Sequence, residues 1–189
     1  LAVLYFEEQL GMNMKTNIPW QVAWTLIAMP MVAVAGSLLS GWVSDRFFKG
    51  HRSPVAMTLY FLEAVVIGTA AIILLKGLVG PTPAGIIAGC LILIMISLTA
   101  NSTHSIVGAA APMDIGGKKM AGFAAGVIDS FQYYGGALSL FITGRVLDAT
   151  KDQYGWTFWY AIMSGFGVLG GIAMFLVMRK QKRMKAAAG

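Results

Sequence analysis

Asp129, Gln132, Tyr133 and Gly136 stand at i, i+3, i+4 and i+7 in an apolar stretch, a spacing that lines them along one face of a helix. Thr143 extends the same line two turns further on. A carboxylate, an amide and a phenol on one stripe can hold the polar part of a solute in a water-filled cavity, or form a buried network between helices. A second stripe runs through Ser97, Asn101, His104, Ser105 and Gly108. His104 could carry a proton or bind an anion, because imidazole titrates near neutral pH, or serve as a neutral hydrogen-bond partner. Glu63 lies in another apolar run, where an ionised group is costly; it is paired, protonated or part of a proton path.

These residues do not form an enzyme centre. No nucleophile stands at readable spacing from a base, and no glycine loop of the phosphate-cradling kind is present. Cys90 is the single cysteine, so neither an internal disulfide nor a cysteine metal cluster can form, and it reads as a small core residue. No catalytic residue, metal or cofactor is expected.

The elements that must position the two stripes follow from the charge distribution. Hydrophobic residues make up 57% of the 189 and charged residues 12%, about half the usual share. Residues 16–44, 77–113 and 153–178 contain no Asp, Glu, Lys or Arg. Such runs are long enough to cross a bilayer, which takes about 20 mainly apolar residues, so a soluble enzyme is excluded. Five membrane helices are expected, at residues 20–43, 54–75, 84–111, 121–146 and 156–178. Residues 1–10 read as the last turns of a sixth, in a chain that looks like part of something longer. The fold class is an all-α integral membrane protein.

Ten Lys and Arg, namely Arg46, Lys49, Arg52, Lys118, Lys119, Arg179, Lys180, Lys182, Arg183 and Lys185, fall on one set of alternate loops. Only Lys15, Lys76, Arg145 and Lys151 fall on the other. Basic loops are retained in the cytoplasm, so the C-terminus is expected inside a multi-pass protein of the plasma (inner) membrane. The net charge of +6 is thus a topology signal and does not imply nucleic acid. Glycine pairs Gly85/Gly89, Gly122/Gly126 and Gly167/Gly171 have the spacing that lets membrane helices approach closely.

The loop after the first full span reads Gly41-Trp42-Val43-Ser44-Asp45-Arg46-Phe47-Phe48-Lys49-Gly50-His51-Arg52. It resembles the signature loop of the major facilitator superfamily, and more specifically that of the organophosphate:phosphate antiporters, which include glycerol phosphate and hexose phosphate carriers. A second segment is similar to that branch: Lys118-Lys119-Met120-Ala121-Gly122-Phe123-Ala124-Ala125-Gly126, then Tyr133-Tyr134-Gly135-Gly136. A weaker echo is Val146-Leu147-Asp148 followed by Gly155-Trp156.

The resemblance implies that residues 1–189 are the C-terminal six-helix half of a twelve-helix carrier: the end of helix seven, helices eight to twelve and a basic cytoplasmic tail. Its partner would be the N-terminal half of the same transporter, within the lipid bilayer, and the two halves would rock around a central site. The first, third and fourth full spans would border that site. Asn101, His104, Asp129, Gln132 and Tyr133 would then contact an organophosphate or phosphate substrate, carried in exchange for inorganic phosphate. In the signature loop, Gly41, Asp45, Arg46 and Arg52 are expected to gate, with Asp45 engaging a neighbouring helix end or the loop arginines. Glu63 falls on a peripheral helix, which favours structural pairing.

Two features depart from the branch. The phosphate-binding arginines belong to helix one and the start of helix seven, outside this chain, and none of the spans holds an intramembrane Arg or Lys. Asp129 stands where some relatives have a small residue, and a carboxylate repels phosphate. Proton-coupled transport of another solute, or sugar-phosphate sensing on the same fold, are the alternatives.

Overall fold

The computed structural model describes residues 2–12 and 18–187, which form helices joined by short turns, with no strand among the described residues. Helix α1 is Ala2–Leu10, α2 Trp20–Phe48, α3 Arg52–Leu75 and α4 Pro83–Ser105; a π-helical segment, Ile106–Ala110, leads into α5, Ala111–Tyr154, and α6 is Thr157–Ala187. Among the described residues, four helical stretches are long and apolar enough to cross a membrane: Trp20–Phe48, Arg52–Leu75, Pro83–Gly108 and Thr157–Arg183. α5 contains the expected span 121–146 but does not reach that apolar threshold, because Asp129, Gln132, Tyr133 and Tyr134 interrupt its greasy face.

Helix ends follow local chemistry. Thr82 caps α4 by accepting the Gly85 N–H at 3.1 Å, and Pro83 occupies the first turn, where its missing N–H costs nothing. α2 ends through two residues of positive φ, Lys49 (+51°) and Gly50 (+76°), whose N–H groups both turn back to the Ser44 carbonyl. The backbone at 112–120 and 147–154, where loops were expected, is helical, although the chain reverses direction between Gly108 and Asp129. Pro112 falls at the second position of α5, where proline is tolerated, and Leu147–Tyr154 has neither Gly nor Pro to end a helix before Gly155 (φ +53°). Likewise α6 runs beyond residue 178 into the basic tail. Lys15 lies outside the described residues, as do the side chains of Lys118, Lys151 and Lys185.

α2 and α4 run parallel: the Cys90 thiol faces the Gln21 carbonyl, Ser97 donates to the Met29 carbonyl at 3.0 Å, and Gly36 lies against Leu98 and Ser102. α3 and α6 run antiparallel, with Gly68 at Ser164, Ala64 at Gly167 and Tyr60 at Gly170. The Ser164 hydroxyl closes that crossing by donating to the Ala64 carbonyl at 2.8 Å. A β-carbon at Gly167 would stand 3.0 Å from that of Ala64, and one at Gly171 2.8 Å from the Phe61 ring, so this glycine pair makes the close approach its spacing predicts. Gly89 does the same against Tyr5. Gly85 instead packs on its own loop at Gly80, and Gly122 and Gly126 face open space.

The main core gathers at one end of the bundle, where Tyr5 and Phe6 of α1 meet Val22, Ile67, Leu74, Cys90, Leu93, Trp156 and Tyr160. Tyr5 sits edge-on to Trp156 and Tyr160, at centroid distances of 5.5 and 6.1 Å. Cys90 is buried there, as a small core residue should be. At the opposite end a smaller cluster of Val55, Ala56 and Ile106 joins α3 to the π segment.

Candidate functional site

The fold joins the two polar stripes at one point. Asp129 and Gln132 lie on the same side of α5, and both reach Gly108 in the π segment: a β-carbon there would be 2.8 Å from Oε1 of Gln132 and 3.0 Å from Oδ1 of Asp129. More than twenty residues separate Gly108 from Asp129, and a straight helix of that length would rise about 30 Å. The chain therefore doubles back between them, bringing α5 against the end of α4, so the run Ala111–Tyr154 is not one straight rod. A π turn widens the helix by one residue and re-aims side chains, and such turns recur at functional sites.

Glycine is what permits this approach. Any larger residue at 108 would fill the space that the Gln132 amide and the Asp129 carboxylate occupy. Oε1 of Gln132 is buried and has no hydrogen-bond partner, so an acceptor is held against the helix with its bonding capacity unspent. Sequence reasoning placed Gly108 on a stripe but could not see that it serves as the seat for the other stripe.

The remaining candidates lie apart from this junction. Asn101 is exposed and donates to the Ser97 carbonyl at 2.8 Å, and His104 is exposed one turn before the π segment. Tyr133 is 72% exposed on α5. The described contacts do not bring these three to Asp129 and Gln132; they stand on surfaces that no other described helix covers. Thr143 is buried, but its hydroxyl is spent on the Ser139 carbonyl at 2.6 Å. Among the described residues no group of three or more His, Cys, Asp or Glu side chains could hold a metal ion.

Glu63 has a neighbour that the sequence did not reveal. It lies beside Thr103 of α4, whose hydroxyl donates to the Thr99 carbonyl at 2.9 Å. Thr103 was a weak signal by sequence, since a threonine in a membrane helix usually bonds its own backbone.

In the signature loop, Asp45 and Arg46 are exposed at the end of α2, while Gly41 is half-buried with open space where a β-carbon would stand. Arg52 opens α3 and is half-buried. The turn between the helices is closed by backbone bonds: the Gly50 N–H reaches the Ser44 carbonyl at 3.1 Å, and that of His51 reaches the Phe48 carbonyl at 2.9 Å. Neither of these two bonds uses the Asp45 carboxylate.

No family model and no solved structure matches the chain. Curated relatives do. The chain is 28% identical to the glycerol-3-phosphate transporter of Haemophilus influenzae, an alignment covering 98% of this chain and 38% of that protein. It is 26% identical to the glycerol-3-phosphate transporter of Bacillus subtilis, over 96% of this chain and 37% of the relative. The membrane sensor protein UhpC of Escherichia coli is also 26% identical, over 93% of this chain and 35% of the sensor. The chain is thus similar over nearly its whole length to glycerol-3-phosphate transporters and to a membrane sensor protein, consistent with its resemblance to the organophosphate carriers of the major facilitator superfamily. It spans little more than a third of the length of these relatives and corresponds to their C-terminal part.

With that relationship the four apolar helices are those of an integral, multi-pass membrane protein. The relatives are transporters or sensors, none of them named as an enzyme. The Gly108 junction then acquires a context, because it joins the third and fourth full spans. Arg145 is exposed near the far end of α5, its guanidinium 4.5 Å from the Phe141 ring centroid.

Proposed function

We propose that this chain is the C-terminal half of a secondary transporter that exchanges a phosphorylated organic metabolite for inorganic phosphate by alternating access in the plasma membrane. Its N-terminal half would supply helices one to six, and the arginines that bind phosphate would come from helices one and seven. The observation that carries the reading is the alignment of nearly the whole chain with two glycerol-3-phosphate transporters. The Gly108 junction supports it from the structural side, since an unspent amide acceptor and a carboxylate converge where two spans meet.

In this scheme Asp129 and Gln132 bind the hydroxyl-bearing part of the metabolite, because a carboxylate accepts hydroxyl protons but repels phosphate oxygens. Asn101, His104 and Tyr133 face the cavity that the N-terminal half completes. Asp45 and Arg46 act at the cytoplasmic mouth, where an exposed ion pair is weak enough to break and remake as the halves rock. The basic loops and tail put the C-terminus in the cytoplasm.

Reconstitution of the complete protein in vesicles loaded with phosphate tests the reading. Uptake of glycerol phosphate or a hexose phosphate that depends on internal phosphate is expected. Uptake abolished by an uncoupler and indifferent to internal phosphate would replace it with proton coupling. The resemblance to the sensor protein favours a second reading, a receptor on the same fold. A deletion that abolishes gene induction by a sugar phosphate without lowering its uptake would select that one.

A further inference from the structure

One cleft in the structure has no part in this scheme. It is a cleft of about 240 Å³ between α2, α3 and α4, walled by Leu39 and Val43 on α2, Val55, Leu59 and Leu62 on α3, and Leu98 on α4. Ser40, Thr58, Thr99 and Ser102 also line it. Each of these four hydroxyls donates to a carbonyl of its own helix: Ser40 to Ser37, Thr58 to Pro54, Thr99 to Met95 and Ser102 to Leu98, at 2.6 to 3.0 Å. The cleft therefore offers no free donor to a polar solute, and its walls are chemically those of a hydrocarbon site.

One end of the cleft reaches Phe48, at the turn between α2 and α3. Lys49 follows Phe48 directly and is exposed, as is Arg46 on the last turn of α2. The tail of α6 comes to the same place, because the Ser53 hydroxyl donates to Oε1 of Gln181 at 2.9 Å, and Lys180 and Lys182 flank that residue. The mouth is thus rimmed by cations with Asp45 as the one acid in the loop, while its interior is apolar.

We propose that this cleft seats one acyl chain of an anionic phospholipid, whose phosphate rests on Arg46 and Lys49 at the membrane face. An apolar slot that ends under a cationic rim, in a protein that lives in a bilayer, matches both ends of such a molecule. A zwitterionic lipid matches the slot but gains less from the rim. The site is separate from the Gly108 junction and does not depend on which solute is carried.

Native mass spectrometry of the full-length protein, exchanged from detergent into equal amounts of phosphatidylglycerol and phosphatidylethanolamine, tests this. One retained phosphatidylglycerol per chain is expected, with a preference of roughly thirtyfold from two surface cations. The double variant Arg46→Gln with Lys49→Gly removes the rim charge while keeping the turn, and should lose the preference. Thr58→Phe and Leu62→Trp fill the slot from exposed positions on α3, and either should abolish retention of both lipids. The wild-type retention pattern in folded, monodisperse filling variants, or equal retention of the two lipids by the wild-type protein, would overturn the proposal.

Discussion

Gly108 and Gln132 lie against each other across the junction of α4 and α5, so close that a β-carbon on the glycine would stand 2.8 Å from Oε1 of the glutamine. The contact matters because the atom it touches is the tip of a flexible side chain and not backbone. Alanine at 108 can therefore be accommodated by swinging the Gln132 amide aside, whereas leucine would expel Gln132 and Asp129 together. Gly108→Ala is expected to raise the half-saturating substrate concentration with the maximal rate nearly kept, and Gly108→Leu to abolish uptake while the protein still reaches the membrane. Vesicle uptake kinetics alongside quantitative immunoblotting check both.

Asp129 is the acid at this junction. If its carboxylate accepts substrate hydroxyls, Asp129→Asn keeps a carbonyl acceptor but halves the acceptor capacity. A loss of about tenfold in uptake is expected, in line with one charge-assisted hydrogen bond of 1.5–3 kcal/mol, at unchanged expression. Gain of activity toward inorganic phosphate alone would agree with removal of a repelling charge. Indifference of both substrates to the change would remove Asp129 from the site.

Glu63 and Thr103 are neighbours on two different helices. Glu63→Gln keeps the size of the side chain and a carbonyl acceptor, and is expected to fold and transport nearly as the wild type does. Thr103→Val leaves a carboxyl facing an apolar wall and should cost about 1–3 kcal/mol. A thermal-shift assay in detergent reads the second effect. A large uptake defect in Glu63→Gln at normal stability would instead mark this residue as a proton site.

The two glycine pairs on α5 and α6 should behave oppositely. Gly171→Val drives a branched side chain into the Phe61 ring and should destabilise the α3–α6 crossing by about 1–3 kcal/mol, as overpacking does. Gly122→Ala meets nothing within 4 Å and should be neutral or slightly stabilising, since alanine favours helix. Melting temperatures of the two variants side by side decide the matter.

Lys49 is the one non-glycine residue with positive φ among the described residues, at +51°. A lysine in that conformation costs of order 1 kcal/mol that glycine does not. Lys49→Gly is therefore expected to raise the melting temperature of the lipid-stripped protein by a few degrees, read by a thermal-shift assay in detergent.

How much of this was legible beforehand depends on which interactions carried it. Charge-free runs mark membrane helices because the bilayer imposes the same cost on any charge wherever the neighbours lie, so α2, α3, α4 and α6 were readable one at a time. The Gly41–Arg52 loop was readable as a motif because its residues are contiguous. The expected break at 147–155 comes late, since the helix runs to Tyr154 and ends only at Gly155, Ala, Lys and Gln being good helix formers; the reversal expected near 112–120 does occur between Gly108 and Asp129, although the backbone there stays helical.

What the sequence determined by itself was local: the apolar lengths, the caps, the positions of the cations and the two polar stripes. What the tertiary structure decided was every relation across the chain. It set Asp129 and Gln132 against Gly108, and left Asn101, His104 and Tyr133 outside that contact. It set Thr103 beside Glu63, and turned Gly171 toward Phe61 while leaving Gly122 in open space. The physical reason is that helix periodicity fixes which residues share a face, while which face meets which depends on side-chain packing between segments far apart in the chain.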